Sequence, residues 1–510
     1  MTNKAMLIIL DGYGIGDKSK SDAIAQAETP FIDSLKQNYP NSQLLTHGEN
    51  VGLPDGVMGN SEVGHMNIGA GQVIFQDLVK INKDVKTGEI ANNKILKKAF
   101  NYAKENNKAV HFLGLVSDGG VHSMNTHLYK LCDITKNYEL EKVYIHALTD
   151  GRDTDPKSGL GFIKELQAHL DKSNGEIATV TGRYFTMDRD KRWDRIKIGY
   201  DALVSGIGEK STDVIKSIKV AYNQDITDEF IKPIIKVDSQ NNPVGSIQKD
   251  DVVICFNYRT DRLRQITTAL TQQDMPENGL ATLPLHYCTM TKYDDNFKKL
   301  NIIYEKPNIQ NTFGEIVSKN GLKQLRIAET EKYSHVTFFF SGGREDEFEG
   351  EKRILINSPK VATYDLKPEM SAYEVKDQVI TELNKNEHDF VCLNFANGDM
   401  VGHTGIYEAI LQAANHVDNC VKEVVETAQK NNYSVVIIAD HGNADFVMNA
   451  DGSPNTAHSL NPVPCILIPN SKFDAKEINL KNGILANVAP TLCKLMNLEQ
   501  PKEMTEESLF

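Results

Sequence analysis

The 510-residue chain has no apolar run long enough to cross a membrane, no CxxC pair, no heptad run, no low-complexity tract and no internal sequence repeat. Its seven cysteines, Cys132, Cys255, Cys288, Cys392, Cys420, Cys465 and Cys493, are odd in number and scattered. That pattern disfavours a disulfide framework or a zinc ribbon and fits a reducing compartment. The apolar stretch near the amino terminus covers only Ala5 to Leu10 before it meets Asp11. It is too short for a signal h-region or a membrane span, so a cytoplasmic protein with no membrane partner is expected. Basic charge is also in deficit. With 56 Lys and Arg against 69 Asp and Glu, the net charge of −13 repels phosphate backbones and excludes broad nucleic-acid binding, while leaving room for a local basic pocket. No apolar interface stripe is evident, so a monomer is expected. What remains is a globular composition, 40% hydrophobic and 25% charged, in a chain long enough for two domains.

The chain is rich in one repeated pattern, a short β-branched run ending in polar residues. In SVVIIADHGNAD, Val435 to Ile438 reads as a buried parallel strand with Asp440 and His441 at its carboxyl end. In open α/β sheets that edge binds ligands, and the carboxylate and imidazole offer an oxygen and a nitrogen to a divalent cation. Met6 to Leu10 followed by Asp11 repeats it. Gly12, Gly14 and Gly16 suggest a dinucleotide loop, but Asp17 stands where the last glycine of that fingerprint belongs, so the reading is set aside. A helix is expected over Pro30 to Gln37. The segment PDGVMGNSEVGHMNIGAG, from Pro54 to Gly71, is a glycine-dense loop. Ser61 within it reads either as a helix cap or as a nucleophile framed by backbone N–H groups.

In the middle segment, strands expected at Val110 to Val116, Val143 to Leu148, Thr179 to Tyr184 and Asp251 to Phe256 each deliver polar or basic residues at their ends. Helices over Gly159 to Ser173 and Asp194 to Ser205 lie between them. This alternation implies a second parallel-sheet domain, making the fold class α/β with two domains. Arg183, Arg189, Arg259 and Arg262 at these strand mouths suit a small polyanion, since the guanidinium fork pairs bidentately with carboxylate or phosphate. Arg259 and Arg262 are expected on one face of a helix start, with His122, Arg152 and Asp153 completing the pocket.

In the last segment, Gln324 to Thr330, Val336 to Phe340 and Phe390 to Phe395 read as strands, with Lys332 between the first two. Asp399 and His403, four apart, share one side of a helical turn, and His458 follows in a loop. Asp11, Ser61, Asp399, His403, Asp440, His441 and His458 suffice for two cations held by hard oxygen and imidazole nitrogen. The donor set leaves Mn²⁺, Zn²⁺, Mg²⁺ or Fe²⁺ open. Such a centre polarises a phosphoryl group and lowers the pKa of a bound hydroxyl.

The blocks DGYG, GNSEVGHMNIGAG, SDGGVHS, DGRD, GRYFTMDRDKRWDR, HVTFFFSGGRE, NFANGDMVGHTG and ADHGNAD, with the Arg259 to Arg262 stretch, resemble the cofactor-independent (2,3-bisphosphoglycerate-independent) phosphoglycerate mutases over essentially the whole chain. The resemblance implies a discontinuous alkaline-phosphatase-like three-layer α/β domain over residues 1–75 and 311–510, and an inserted α/β phosphotransferase domain over 76–310. It implies interconversion of 3-phosphoglycerate and 2-phosphoglycerate, small-molecule substrates only, two Mn²⁺ per subunit and no 2,3-bisphosphoglycerate. By motif, Ser61 is the phosphorylated nucleophile. Asp11, Ser61, Asp440 and His441 hold one Mn²⁺, and Asp399, His403 and His458 the other. His122, Arg152, Asp153, Arg183, Arg189, Arg259, Arg262 and Lys332 form the substrate set, with Asp153 as acid and base and Lys332 beside the oxyanion. Domain closure with hinges near residues 75 and 310 would keep water from the phosphoserine. Two departures stand out: Gly398 replaces an expected proline, and Thr154 and Asp155 follow GRD. Competing readings are a metal-dependent phosphomonoesterase or sulfatase, a phosphopentomutase, and a non-catalytic anion-binding or metal-storage protein.

Overall fold

In the computed structural model, which describes residues 3–305 and 309–510, the strands fall into two eight-stranded sheets in two units. Unit 1 is Met1–Val79 with Asn308–Phe510, and unit 2 is Lys80–Pro307.

The sheet of unit 1 forms around apolar runs with no polar face. Lys4–Leu10 (β1) and Tyr433–Ile438 (β14) are buried almost throughout, as parallel strands covered on both sides must be. Reading across the sheet, Glu351–Ile356 (β12), Gln324–Glu329 (β11), Phe390–Phe395 (β13), β1 and β14 run parallel. Val463–Ile468 (β15) then pairs antiparallel with β14 and with Asn41–Leu45 (β2), and Gly483–Ile484 (β16) closes the edge. Four adjacent strands, β11, β13, β1 and β14, therefore bring their carboxyl ends to one edge.

Unit 2 repeats the design with Asn301–Tyr304 (β10), His286–Thr291 (β9), Val252–Cys255 (β8), Val110–Leu115 (β3), Val143–Thr149 (β4), Glu176–Gly182 (β5), Ile234–Lys236 (β7) and Glu209–Ser211 (β6), in that order. Among the described residues of this sheet only the β5–β7 pair is antiparallel. Here β8, β3, β4 and β5 are the neighbours whose carboxyl ends converge.

Four local expectations are corrected. Val336 to Phe340 is not a strand: His335–Phe339 is a wide helical turn that continues the helix Thr330–Ser334. No breaker separates the two, Val336 and Phe340 are both buried at helical spacing, and Thr337 Oγ1 donates to the Tyr333 carbonyl at 2.7 Å. The strand expected to reach Tyr184 stops at Gly182, and Arg183–Thr186 is one helical turn. Arg259 and Arg262 precede the helix Arg264–Thr267 instead of opening it. The glycine-dense segment ends in a helix, Ser61–Ala70, whose cap is Asn60: its side chain accepts from Val63 N at 3.0 Å, leaving Ser61 as the first helical residue.

Candidate metal and phosphoryl-transfer site

The acidic groups, Lys332 and His441 of the unit 1 site follow strand ends. Asp11 follows β1, Lys332 follows β11, Asp399 lies in the helix Asn397–Gly402 after β13, and Asp440 and His441 follow β14. Gly12, at φ +74°, lets two of these ends touch, since a Cβ there would lie 2.6 Å from the Asp399 backbone nitrogen. The helix Ser61–Ala70 points its first residue into the same edge.

Ser61 is the meeting point. Its Oγ lies 3.2 Å from Asp11 Oδ1 and 2.9 Å from His441 Nε2, and it accepts from Lys332 Nζ at 2.7 Å. The same ammonium donates to Asp11 Oδ1 and Asp399 Oδ2, both at 2.7 Å. Burial pulls the Lys332 pKa down, but Asp11, Asp399 and Asp440 outweigh it and hold the ammonium charged, well above its ordinary range. Burial and the neighbouring Asp440 push the Asp11 carboxyl up. Asp399 and Asp440 go the other way. Burial raises both, but Lys332 and His403 hold Asp399 low, and His441 and His65 hold Asp440 low.

The imidazoles are oriented for ligation. His403 turns Nδ1 to the Thr456 carbonyl at 2.8 Å, and His458 turns Nδ1 to the Gly59 carbonyl at 2.7 Å. A carbonyl only accepts, so Nδ1 carries a hydrogen in both rings, and each ring when neutral presents its Nε2 lone pair. The two Nε2 atoms stand 3.2 Å apart, each 3.1 Å from Asp399 Oδ1. Lone pairs facing one another and a carboxylate oxygen form an arrangement that a cation resolves. Asp399 with His441 and His458, and Asp11 with Asp440 and His441, are two groupings whose ligand atoms lie within 4.8 Å of one another; among the described residues the buried Oδ2 of Asp440 has no partner in good hydrogen-bond geometry, although His65 Nδ1 stands 3.3 Å away. His441 belongs to both groupings, where the motif reading gave it to one. The residues present fit cations bound by oxygen and nitrogen, and all seven cysteines are buried away from them as free thiols.

Unit 2 carries a second constellation. Arg183, almost wholly buried, donates through Nη1 to Asp150 Oδ1 at 2.6 Å and Asp153 Oδ2 at 2.7 Å. Asp150 is locked by the Ser117 hydroxyl at 2.8 Å and the backbone N–H groups of Arg152 and Asp153. Arg152 pairs with Glu229 at 3.1 Å. Arg189 and Arg259 share Asp261, while Arg262 donates to the Met187 carbonyl at 3.1 Å and, among the described residues, pairs with no carboxylate. Arg152, Arg183, Arg189 and Arg262 line one cavity of about 390 Å³. Burial and the charges of Arg183, Arg189 and Arg152 lower the Arg262 pKa. His122, between Asp153 and Asp261, is pulled down to about 4 by burial and by Arg183, so it is neutral.

Sequence reasoning missed several participants. Asn394, a polar residue inside the apolar run of β13, donates to Asp11 Oδ2 at 2.8 Å, and its amide nitrogen lies 3.1 Å from His65 Nε2. His65, one turn after Ser61, places Nδ1 2.8 Å from the Ser61 carbonyl. Asn443 donates to Asp399 at 3.2 Å. Asp150, Glu229 and Asp261 are the carboxylates behind the arginines. The i,i+4 spacing of Ser61 and His65 and the lone amide in β13 were the available signals.

Residues 81–295 match the family described as BPG-independent PGAM N-terminus, and residues 328–487 match type I phosphodiesterase / nucleotide pyrophosphatase. The chain is 58% identical over 511 residues to the 2,3-bisphosphoglycerate-independent phosphoglycerate mutase of Bacteroides thetaiotaomicron, with both chains covered fully. It is 55% identical, again over the full length of both, to the enzyme of that name from Flavobacterium johnsoniae. Among solved structures, phosphoglycerate mutase of Leishmania mexicana, crystallised at low cobalt concentration, is 31% identical with a TM-score of 0.54, covering 100% of this chain and 98% of its own.

Proposed function

The chain belongs to the 2,3-bisphosphoglycerate-independent phosphoglycerate mutases, and from that premise we propose how its two residue sets carry out the interconversion of 3-phosphoglycerate and 2-phosphoglycerate. It is an isomerase acting on a small-molecule substrate, and its family works without 2,3-bisphosphoglycerate. The observation that carries the mechanism is the position of the Ser61 hydroxyl, 2.7 Å from Lys332 Nζ and 2.9 Å from His441 Nε2 at the head of a helix.

Ser61, giving up its proton toward Asp11 Oδ1, to which its hydroxyl donates at 3.2 Å, attacks the phosphorus of 3-phosphoglycerate through Oγ and forms phosphoserine as the bond from phosphorus to the 3-oxygen breaks, releasing glycerate. Lys332, held charged, steadies the hydroxyl oxygen and the negative charge that develops on the transferring phosphoryl group. The helix amino terminus adds its partial positive charge at the same point. Two divalent cations, Mn²⁺ by preference, would be held by Asp11, Ser61, Asp440 and His441 on one side and by Asp399, His403 and His458 on the other. When bound, they supply Lewis-acid polarisation of the phosphoryl oxygens and a lower pKa at Ser61. Asn394 and His65 keep Asp11 and the Ser61 backbone in place.

In unit 2, Arg262 and its neighbours bind the carboxylate and phosphate of the substrate, and Asp153 gives a proton to the departing 3-oxygen and then takes one from the 2-hydroxyl as it attacks the phosphoserine. It can do so because its carboxylate is fixed by Arg183 at 2.7 Å while remaining partly exposed. A mutase must serve one glycerate with both sets, returning the phosphoryl group to the 2-hydroxyl after the acceptor turns. A hydrolase would need the first set alone.

The test is Ser61→Ala in the Mn²⁺-loaded enzyme. Mutase activity should vanish while the circular-dichroism melt is unchanged, and mass spectrometry of the quenched wild type should find phosphate on Ser61. A residual rate above one per cent of wild type removes Ser61 from the nucleophile role. Release of inorganic phosphate from 3-phosphoglycerate faster than 2-phosphoglycerate forms would favour the hydrolase.

A further inference from the structure

The carboxylates of unit 2 hold their arginines in two different ways. Asp150 is 1% exposed and uses both oxygens, accepting from Arg183, Ser117 and two backbone N–H groups. It is part of the scaffold. Asp261 is loose by comparison. Both hydrogen bonds from its arginines fall on one oxygen, Oδ2, from Arg189 Nη1 at 3.0 Å and Arg259 Nη2 at 3.3 Å. Its Oδ1 is buried and accepts no hydrogen bond, although Arg259 Nε stands 3.2 Å away and His122 Nδ1 3.7 Å away. The side chains of Arg189 and Arg259 are about half exposed, at 49% and 47%. Burial raises the Asp261 carboxyl, but the Arg189 hydrogen bond and the Arg259 charge outweigh it, so it stays ionised. One carboxylate is thus shared between two guanidiniums, either of which can form a bidentate pair with a better-placed anion.

We propose that Asp261 is an exchangeable counter-ion: phosphoglycerate displaces its carboxylate from Arg189 and Arg259, and the carboxylate returns to them once the phosphoryl group has left for Ser61. This rests on the reading of the arginine set as the substrate site. The charge change of the reaction motivates the exchange. Phosphoglycerate brings a carboxylate and a phosphate of roughly −2 charge, whereas the glycerate left after transfer carries the carboxylate alone. A fixed set of five guanidiniums cannot match both. If all of them closed on glycerate it would be held too firmly to turn its other hydroxyl toward the phosphoserine. Asp261 takes up Arg189 and Arg259 during that interval, leaving Arg262 to retain the carboxylate while the acceptor reorients. Asp261 is in this sense a positioning residue that acts through the arginines.

The experiment compares Asp261→Asn and Asp261→Glu with wild type in steady-state assays of the Mn²⁺-loaded enzyme. Competitive inhibition by D-glycerate is measured alongside. Removing the competing charge should lower KM for 3-phosphoglycerate by about five-fold, the upper range for an exposed ion pair, and tighten D-glycerate inhibition by a similar factor. The kcat should fall at the same time, and Asp261→Glu should restore both parameters. A purely structural Asp261 gives the opposite sign: its loss splays the arginines and raises KM, and that result, or an unchanged KM, overturns the proposal. Arg189→Ala is the control for the underlying reading. If it leaves KM unchanged, the arginine set is not the substrate site; if it raises KM while Asp261→Asn fails to lower it, the counter-ion proposal alone falls. Should Asp261→Asn not fold, Asp261→Ser carries the same comparison, and if neither folds the carboxylate is scaffold and the proposal is wrong.

Discussion

Replacing Lys332 by methionine keeps the volume of the side chain and removes its charge from a site where it is 4% exposed. The ammonium touches Asp11, Asp399 and Ser61, each at 2.7 Å. Without a cation, Lys332→Met leaves those buried carboxylates facing Asp440 with no ammonium between them. The least costly relief at neutral pH is to protonate one of them. From an unfolded pKa near 3.9, holding one proton at pH 7 costs about 4 kcal/mol, in line with about 3–5 kcal/mol for breaking a buried ion pair. The sign of the pH dependence follows. In the variant a carboxylate has a folded pKa above its unfolded value, so the stability it retains is present at low pH and is lost as pH rises. At pH 5 the same proton costs only about 1.5 kcal/mol. Thermal melts in chelator should therefore place Lys332→Met on the order of 10 °C below wild type at pH 7 and much closer to it at pH 5. Excess Mn²⁺ should close most of the gap at pH 7, because the missing positive charge is then supplied. A deficit that is the same at both pH values and indifferent to Mn²⁺ would mean that Lys332 acts by packing, and the electrostatic account of the site would fail.

Further outcomes follow from other residues. Gly69→Ala puts a Cβ 1.9 Å from the Phe340 carbonyl oxygen, a clash no rotamer relieves, between the helix that carries Ser61 and the turn that follows Lys332. We expect a loss of about 3 kcal/mol or more in urea melts and a parallel fall in kcat, whereas full activity at wild-type stability would show the two segments free to part. Glu329, 1% exposed at the end of β11, is raised to about 7, chiefly by burial, so its contribution to stability is intact below about pH 4.5 and is lost as pH rises through 7. Glu329→Gln should thus change little at pH 5 and stabilise by about 3 kcal/mol at pH 8, and a variant equally destabilised at both removes that carboxyl from the pH response. Asp399 raises the His403 pKa directly, and at His458 the same carboxylate outweighs burial. Loading with Mn²⁺ should then release protons and weaken as pH falls, which calorimetry in two buffers of different ionisation enthalpy will detect as a buffer-dependent heat.

The strand ends were legible because the physics that writes them is local. A β-branched run followed at once by a carboxylate, as at Asp11 and Asp440, needs no tertiary information to be read as a strand delivering a polar group to a sheet edge. The order β11, β13, β1, β14 was not legible, since nothing in a run of valines and isoleucines specifies its neighbour; yet that order is what sets Lys332, Asp399, Asp11 and Asp440 side by side. Val336 to Phe340 misled because three phenylalanines and a threonine fit a strand by composition, while their burial at helical spacing depends on the helix that packs over them. The missed residues share another cause. Asp150, Asp261, Asn394 and His65 act on residues rather than on a ligand, and the partner of a buried polar group is a property of the folded chain. Asp261 in particular lies in sequence between Arg259 and Arg262, both already assigned, but its shared oxygen exists only once Arg189 and Arg259 converge on it.

The charge balance of the unit 1 site argues for what the fold demands there. Asp399 and Asp440 are held low in their pKa and Asp11, though raised, touches Lys332, so three fully buried carboxylates meet one ammonium. If all three are ionised, two negative charges remain uncompensated in a region where burial makes each costly. Protons on His403 and His458 are the compensation the protein can supply by itself, which is why Asp399 raises both imidazoles. On the proposed function, two divalent cations would over-compensate by two charges, and a phosphate dianion brought by the substrate would restore neutrality. The proposed site would then be nearest to electrical balance with both cations and the phosphoryl group present together, and a centre built in that way would favour the state in which phosphoryl transfer occurs over either partly loaded one.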